Sequence, residues 1–258
     1  MPALLEIEGL NRRFGGLHAV RDLSFRVEEG RIQALIGPNG AGKSTVFNMI
    51  AGALTPDAGV VSFRGRAITG RKPHAVAALG IARTFQTTRL FPHMTALENV
   101  QVGRHIRSRA GFAAGLFHLP WTWREEREIR EAALRTLEKL GLAGLAEAQA
   151  GTLSFGQQRM VEFARALAME PTLLLLDEPA AGLNIHETAG LAELLTRIRG
   201  WGITILIVEH DMSLVMGVSD HIVVLNQGAK MTEGKPADIQ RDPEVIRIYL
   251  GDENAQDT

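Results

Sequence analysis

Nine consecutive residues constrain this chain more than any other stretch: Gly37, Pro38, Asn39, Gly40, Ala41, Gly42, Lys43, Ser44 and Thr45. They match the pattern G-x-x-x-x-G-K-[ST], in which glycines let backbone N–H groups wrap a phosphate while the lysine and the hydroxyl meet its charge. The pattern works only between a strand and a helix. Residues 31–36 read as a buried strand, and residues 44–51 as a helix that Gly52 ends. Lys43 is then placed to reach β- and γ-phosphates, and Ser44 to offer an oxygen to Mg²⁺. The competing reading is an ordinary glycine turn, which the flanking strand and helix argue against.

A chain built around such a loop is α/β. Further runs at residues 4–10, 23–27, 60–64, 172–176, 204–208 and 221–225 are rich in aliphatic residues, several of them as apolar as strands covered on both faces. Between them lie helical patterns. Thr95-Ala-Leu-Glu98 fits a capping box, Ile129, Ala133, Leu137 and Leu140 share one face of residues 125–140, and residues 157–169 close at Pro171. This order predicts a mainly parallel core sheet. Residues 88–153 look mostly helical and hold an apolar segment, 111–123, with two tryptophans. They are expected to form a helical subdomain inserted into one domain spanning 4–251, with a polar tail over 252–258.

Composition serves mainly to exclude. With 45% apolar residues among 258, the chain can bury a substantial core. A net charge of −1 gives no basic field for nucleic acid, and the absence of cysteine removes disulfides, thiolate metal ligands and thiol nucleophiles. The first residues turn acidic by Glu6 and do not read as a signal peptide. The longest apolar runs fall far short of the roughly 20 residues of a membrane span. The expectation is a soluble, intracellular protein.

A second constellation follows downstream. Leu173, Leu174, Leu175 and Leu176 run straight into Asp177 and Glu178. A buried strand would deliver Asp177 to the Mg²⁺ shell and leave Glu178 facing the terminal phosphate, where a carboxylate can orient and deprotonate water. Alone, the pair could equally be a solvated strand end; behind a phosphate loop it reads as a nucleoside triphosphatase.

Three more stretches indicate which kind. Leu153-Ser-Phe-Gly-Gln-Gln-Arg159 resembles the Leu-Ser-Gly-Gly-Gln signature of ATP-binding cassette proteins, with Phe155 in place of the first glycine. Gln86 stands where that family has its Q-loop glutamine, and His210, in Val208-Glu-His-Asp211, resembles the switch histidine. The resemblance covers residues 4 to about 251 and implies ATP and Mg²⁺ as ligands, and a phosphate-loop core with antiparallel strands on its N-terminal side. It makes Glu178, His210 and Gln86 catalytic, and Ser44, Gln86 and Asp177 ligands of Mg²⁺. It also implies a head-to-tail dimer, in which Ser154, Gly156 and Gln157 complete the nucleotide site of a second ATPase subunit. Phe14 falls where the family stacks an aromatic on adenine; a buried core phenylalanine is the alternative. Asn184 stands where most of the family has the aspartate of its D-loop.

Finer likeness points to one branch. Phe14-Gly-Gly-Leu-His-Ala-Val20, Arg83-Thr-Phe-Gln86, Pro179-Ala-Ala-Gly-Leu-Asn184 and Val245-Ile-Arg-Ile-Tyr-Leu-Gly251 resemble the larger ATPase of bacterial branched-chain amino-acid importers. That implies a heterodimer with a different ATPase, two membrane permeases, a periplasmic solute-binding protein reached indirectly, and a peripheral place on the cytoplasmic face of the bacterial inner membrane. Trp121 and Trp123 either line the groove for the permease's coupling helix or pack within the insert. Importers of urea or a related amide share the architecture. Lipopolysaccharide-export ATPases and cassette ATPases acting on DNA or ribosomes fit less well.

Overall fold

Alternation of buried and exposed side chains builds the first layer. The computed structural model describes residues 3–84, 90–107 and 120–253. Strands β1 (Ala3–Phe14) and β2 (Leu17–Glu28) pair antiparallel, burying Leu5, Ile7 and Leu10 from one and Val20, Leu23, Phe25 and Val27 from the other. Both run well beyond the apolar cores at 4–10 and 23–27. Bulges at the Leu10 and Arg12 pairs carry the ladder through polar residues to a turn at Phe14 and Leu17.

Strand β3 (Ile32–Ile36) and helix α1 (Lys43–Ile50) flank the glycine loop. β4 (Ala58–Phe63) and β5 (Arg66–Ala67) complete the antiparallel sheet, in the order β2-β1-β4-β5. After α2 (Pro73–Ala78) come β6 (Ile81–Arg83), α3 (Ala96–Arg104), α4 (Pro120–Lys139) and α5 (Phe155–Leu167). The chain continues through β7 (Leu173–Asp177), α6 (Ile185–Gly200), β8 (Thr204–Val208), α7 (Met212–Val218), β9 (His221–Asn226) and β10 (Ala229–Gly234). It ends in α8 (Pro236–Ile239) and α9 (Pro243–Glu253).

Two compact units emerge: the chain up to Val76 with that from Leu173, and Ala77–Thr172. In the first, β3 pairs parallel with β8 and β9, β7 pairs parallel with β8, and β10 pairs antiparallel with β9. Every residue of β3, β7 and β8 is buried. Four consecutive fully buried leucines, Leu173 to Leu176, each contribute about 1.5–3 kcal/mol relative to exposure.

The second unit is wider than the 88–153 expected for an insert. It takes in β6 before and α5 after, because α5 packs on α3 and α4. The stripe Ile129, Ala133, Leu137 and Leu140 is buried as its spacing predicts. Thr95 and Glu98 form the expected capping box on α3, and the fully buried Asn99 holds the chain before it, accepting from Phe91 N at 2.8 Å and donating to Phe91 O at 3.1 Å.

Candidate functional site

Parallel strands end on a common edge, and three of them carry the expected chemistry there. Leu35 and Asp177 are each in register with Val208, so the loop after β3, the acidic pair ending β7 and the turn after β8 converge. In parallel α/β sheets this carboxyl edge is where ligands bind.

The loop has room only for glycine at two positions. Gly37 has φ +151°, and a Cβ there would stand 2.2 Å from the Leu225 carbonyl oxygen; at Gly42, φ +97°, it would stand 2.4 Å from that of Ala19. Ala41 N donates to Pro38 O at 3.1 Å, and Gly228 N to Ala41 O at 3.2 Å, fixing the curve. The first-turn N–H groups of α1 have no partner within the helix, and Ser44 is exposed among them. Lys43 is 8% exposed; its Nζ donates to Gly37 O at 2.6 Å and Pro38 O at 2.9 Å. Burial pushes the Lys43 pKa down, while the charges of Glu178 and then Asp177 oppose that shift.

Asp177 is buried at the tip of β7. Glu178, the next residue, is half-buried with φ +48°, a left-handed conformation that costs a non-glycine residue roughly 1–3 kcal/mol. Its N–H donates to Val208 O at 2.9 Å, so the strained turn is tied to β8. His210 follows β8 with an exposed imidazole. Ser44 and Asp177 supply hard oxygens, the donor type suited to Mg²⁺, which takes one or two protein ligands beside phosphate. Gln86 lies outside the described residues, as do residues 111–119 and the side chains of Trp121 and Trp123.

Phe14 is not a core residue: it is 46% exposed at the end of β1. One face of its ring is covered by Arg12, whose Cζ lies 4.9 Å from the centroid. Arg12 is itself held by Asp57 Oδ1 at 2.6 Å and Thr55 O at 3.1 Å. The arginine was not singled out from the sequence, where Asn-Arg-Arg-Phe reads as a polar strand end. Phe14→Ala is expected to weaken ATP binding about tenfold, the value of one base–aromatic stack, and to leave a base-free triphosphate unaffected. Competition titrations with both ligands check this; equal weakening would remove the adenine role.

In the second unit Ser154 caps α5. Its Oγ accepts from Gln157 N at 3.3 Å, and Gln157 Oε1 accepts from Ser154 N at 3.0 Å. The hydroxyl thereby spends one lone pair on the cap, and its O–H remains a donor. Gly156 follows in the first turn, and Phe155 is 51% exposed beside it. Asn184 caps α6, accepting from Glu187 N at 3.0 Å while Glu187 accepts from Asn184 N at 2.9 Å. Asparagine caps as well as aspartate, so this local duty survives the exchange.

Comparison with known proteins agrees with this layout. The family model for ABC transporters matches residues 20–181, a span holding the glycine loop, the signature and the acidic pair. The chain belongs to the ATP-binding cassette family. A second model, the branched-chain amino acid ATP-binding cassette transporter, matches residues 229–255 of this cassette ATPase. A high-affinity branched-chain amino acid transport ATP-binding protein, BraF of Pseudomonas aeruginosa, is 48% identical over 96% of this chain and 98% of its own. The solved ADP conformation of an ATP-binding cassette of an ABC transporter has a TM-score of 0.85 at 36% identity, covering 97% of this chain and 100% of that one. A dimeric, post-hydrolysis cassette bound to ADP and phosphate has a TM-score of 0.74 at 26% identity over 90% of this chain and 98% of its own. Among the described residues no helix is long and apolar enough to cross a membrane.

Proposed function

We propose that this cassette ATPase is the larger nucleotide-binding subunit of a branched-chain amino-acid importer, working peripherally on the cytoplasmic face of the membrane with a second, different ATPase and two permeases. The observation that carries the reading is the match of residues 229–255 to the branched-chain branch, beside 48% identity to BraF over nearly the full length of both chains. The core alone supports only ATP hydrolysis.

In that reading the N–H groups of residues 37–45 and Lys43 bind the phosphates of ATP, and Phe14 stacks on adenine. Ser44 and Asp177, with Gln86 by family likeness, would hold Mg²⁺, which neutralises phosphate charge. Glu178 takes a proton from water as the water oxygen attacks the γ-phosphorus and the bond to the β-phosphate oxygen breaks, yielding ADP and phosphate. His210 keeps the water and γ-phosphate in line. Ser154 and Gly156 present a hydroxyl and an N–H to ATP held by the partner, so ATP draws the two subunits together and its hydrolysis releases them.

Purified alone, the chain should sediment mainly as a monomer with low turnover. With the second ATPase and ATP it should sediment as a heterodimer. Reconstituted in vesicles with both permeases, its ATPase should rise with binding protein loaded with leucine, isoleucine or valine, and not with urea. Stimulation by urea alone would move the assignment to another solute, and a fully active homodimer would overturn the two-ATPase arrangement.

A further inference from the structure

We propose that Glu209 is a positioning residue that makes the turn bearing Glu178 and the turn bearing His210 one rigid body. Its side chain is fully buried, at 0% exposure. A carboxylate there is costly unless its oxygens are bonded, and both are. Oε1 accepts from Ala180 N at 2.7 Å; Oε2 accepts from His210 N at 2.8 Å and Asp211 N at 3.2 Å. Nδ1 of the His210 ring lies 3.6 Å from the same oxygen.

The two oxygens therefore serve different segments. One holds the chain two residues beyond Glu178, on its way to Asn184. The other holds the backbone of His210 and the first residue before α7. A second tie runs alongside, from Glu178 N to Val208 O at 2.9 Å. The left-handed turn at Glu178 is thus tied to β8 at its own N–H and, two residues later, to the residue that follows β8. These bonds to an ionised acceptor are of the stronger kind. The arrangement fixes the spacing between the group that takes the proton and the group that holds the γ-phosphate. It also carries any movement of the segment 180–184 to the histidine.

The inference depends on an acceptor-only group with two ends. Glutamine keeps the shape, yet one end becomes NH₂ and faces an N–H donor, so one segment loses its tie. Aspartate keeps the charge but is one methylene shorter and cannot reach both segments. This role rests on the proposed duties of Glu178 and His210, and its test separates the two. In the reconstituted ATPase pair, ATP affinity and single-turnover hydrolysis are measured for E209Q, E209D, H210A and E209Q/H210A, with melting temperature as the check on folding.

Affinity in E209Q should remain within about twofold, because the phosphate loop is untouched, while hydrolysis falls by ~10² through misplacement of reacting groups. E209D should fall similarly and so fail to rescue; where E209Q does not fold, E209D with its melting curve decides alone. The double variant should be little slower than H210A. Near-normal hydrolysis in E209Q or E209D overturns the proposal. So does a parallel loss of affinity, or a double variant whose losses multiply, since both mark a merely structural carboxylate. Normal turnover in H210A would overturn the catalytic reading itself, and this inference with it.

Discussion

Lys43→Ala is expected to abolish tight ATP binding while the protein stays folded. The ammonium is buried against Gly37 O and Pro38 O, inside a loop where Gly37 and Gly42 leave no space for a side chain. It is also the cation that the charges of Glu178 and Asp177 favour, against the pull of burial. Its removal takes away a buried positive charge that, beside Mg²⁺, opposes the two carboxylates and the triphosphate. One charge-assisted hydrogen bond is worth about 1.5–3 kcal/mol, and a stranded partner loses more, so the dissociation constant should rise by at least ~10–10²-fold. The melting temperature should fall far less than the affinity, because the lost burial cost of the cation offsets part of the lost attraction to Glu178 and Asp177. Titration with a fluorescent nucleotide, paired with a thermal melt, measures both. Unchanged affinity would mean that residues 37–45 are not the site.

The parts of this molecule readable in the sequence are those decided by neighbours along the chain. β3, β7 and β8 are mostly aliphatic and buried on both faces, as strands in the middle of a parallel α/β sheet are. The phosphate loop, Asp177 and Glu178 sit at the ends of two of those strands, so motif and position agreed. β10, Ala-Lys-Met-Thr-Glu-Gly, shows no alternation worth reading. It forms because Gln227 and Gly228 both take positive φ, +47° and +84°, and fold it back on β9 as a tight hairpin. Helix α6 had a legible start in Asn184-x-x-Glu187, a capping box obscured by reading Asn184 only for its place in the D-loop. Glu209 and Arg12 were not legible. Each is a charged residue at a strand end, the commonest solvated position. Only a tertiary partner distinguishes them: three backbone N–H groups for Glu209, and the Phe14 ring with Asp57 for Arg12.

Glu178→Gln is the substitution expected to separate binding from chemistry most sharply. The amide fits the same left-handed turn, whose strain is set by the backbone tie from Glu178 N to Val208 O and not by the side chain. It can still hydrogen-bond water, but it cannot take the proton. ATP affinity should persist, since Lys43, Ser44 and the loop N–H groups are unaltered; a modest gain is reasonable, because one negative charge beside the phosphates is gone. Hydrolysis in a single turnover should fall by ~10²–10⁴. The ATP-bound dimer should then accumulate, because the step that dissolves it is blocked, and the dimer fraction by sedimentation should rise as turnover falls. Asp177→Asn should behave differently, shifting the Mg²⁺ concentration needed for activity. In a pair of unlike ATPases a residual rate needs one further control, the matching substitution in the partner. If turnover continues at one site, and that site is the partner's, Glu178 keeps its role here. Near-normal hydrolysis at both sites would remove it, and the water would have to be activated by a group other than the carboxylate that this strained turn holds at the end of β7.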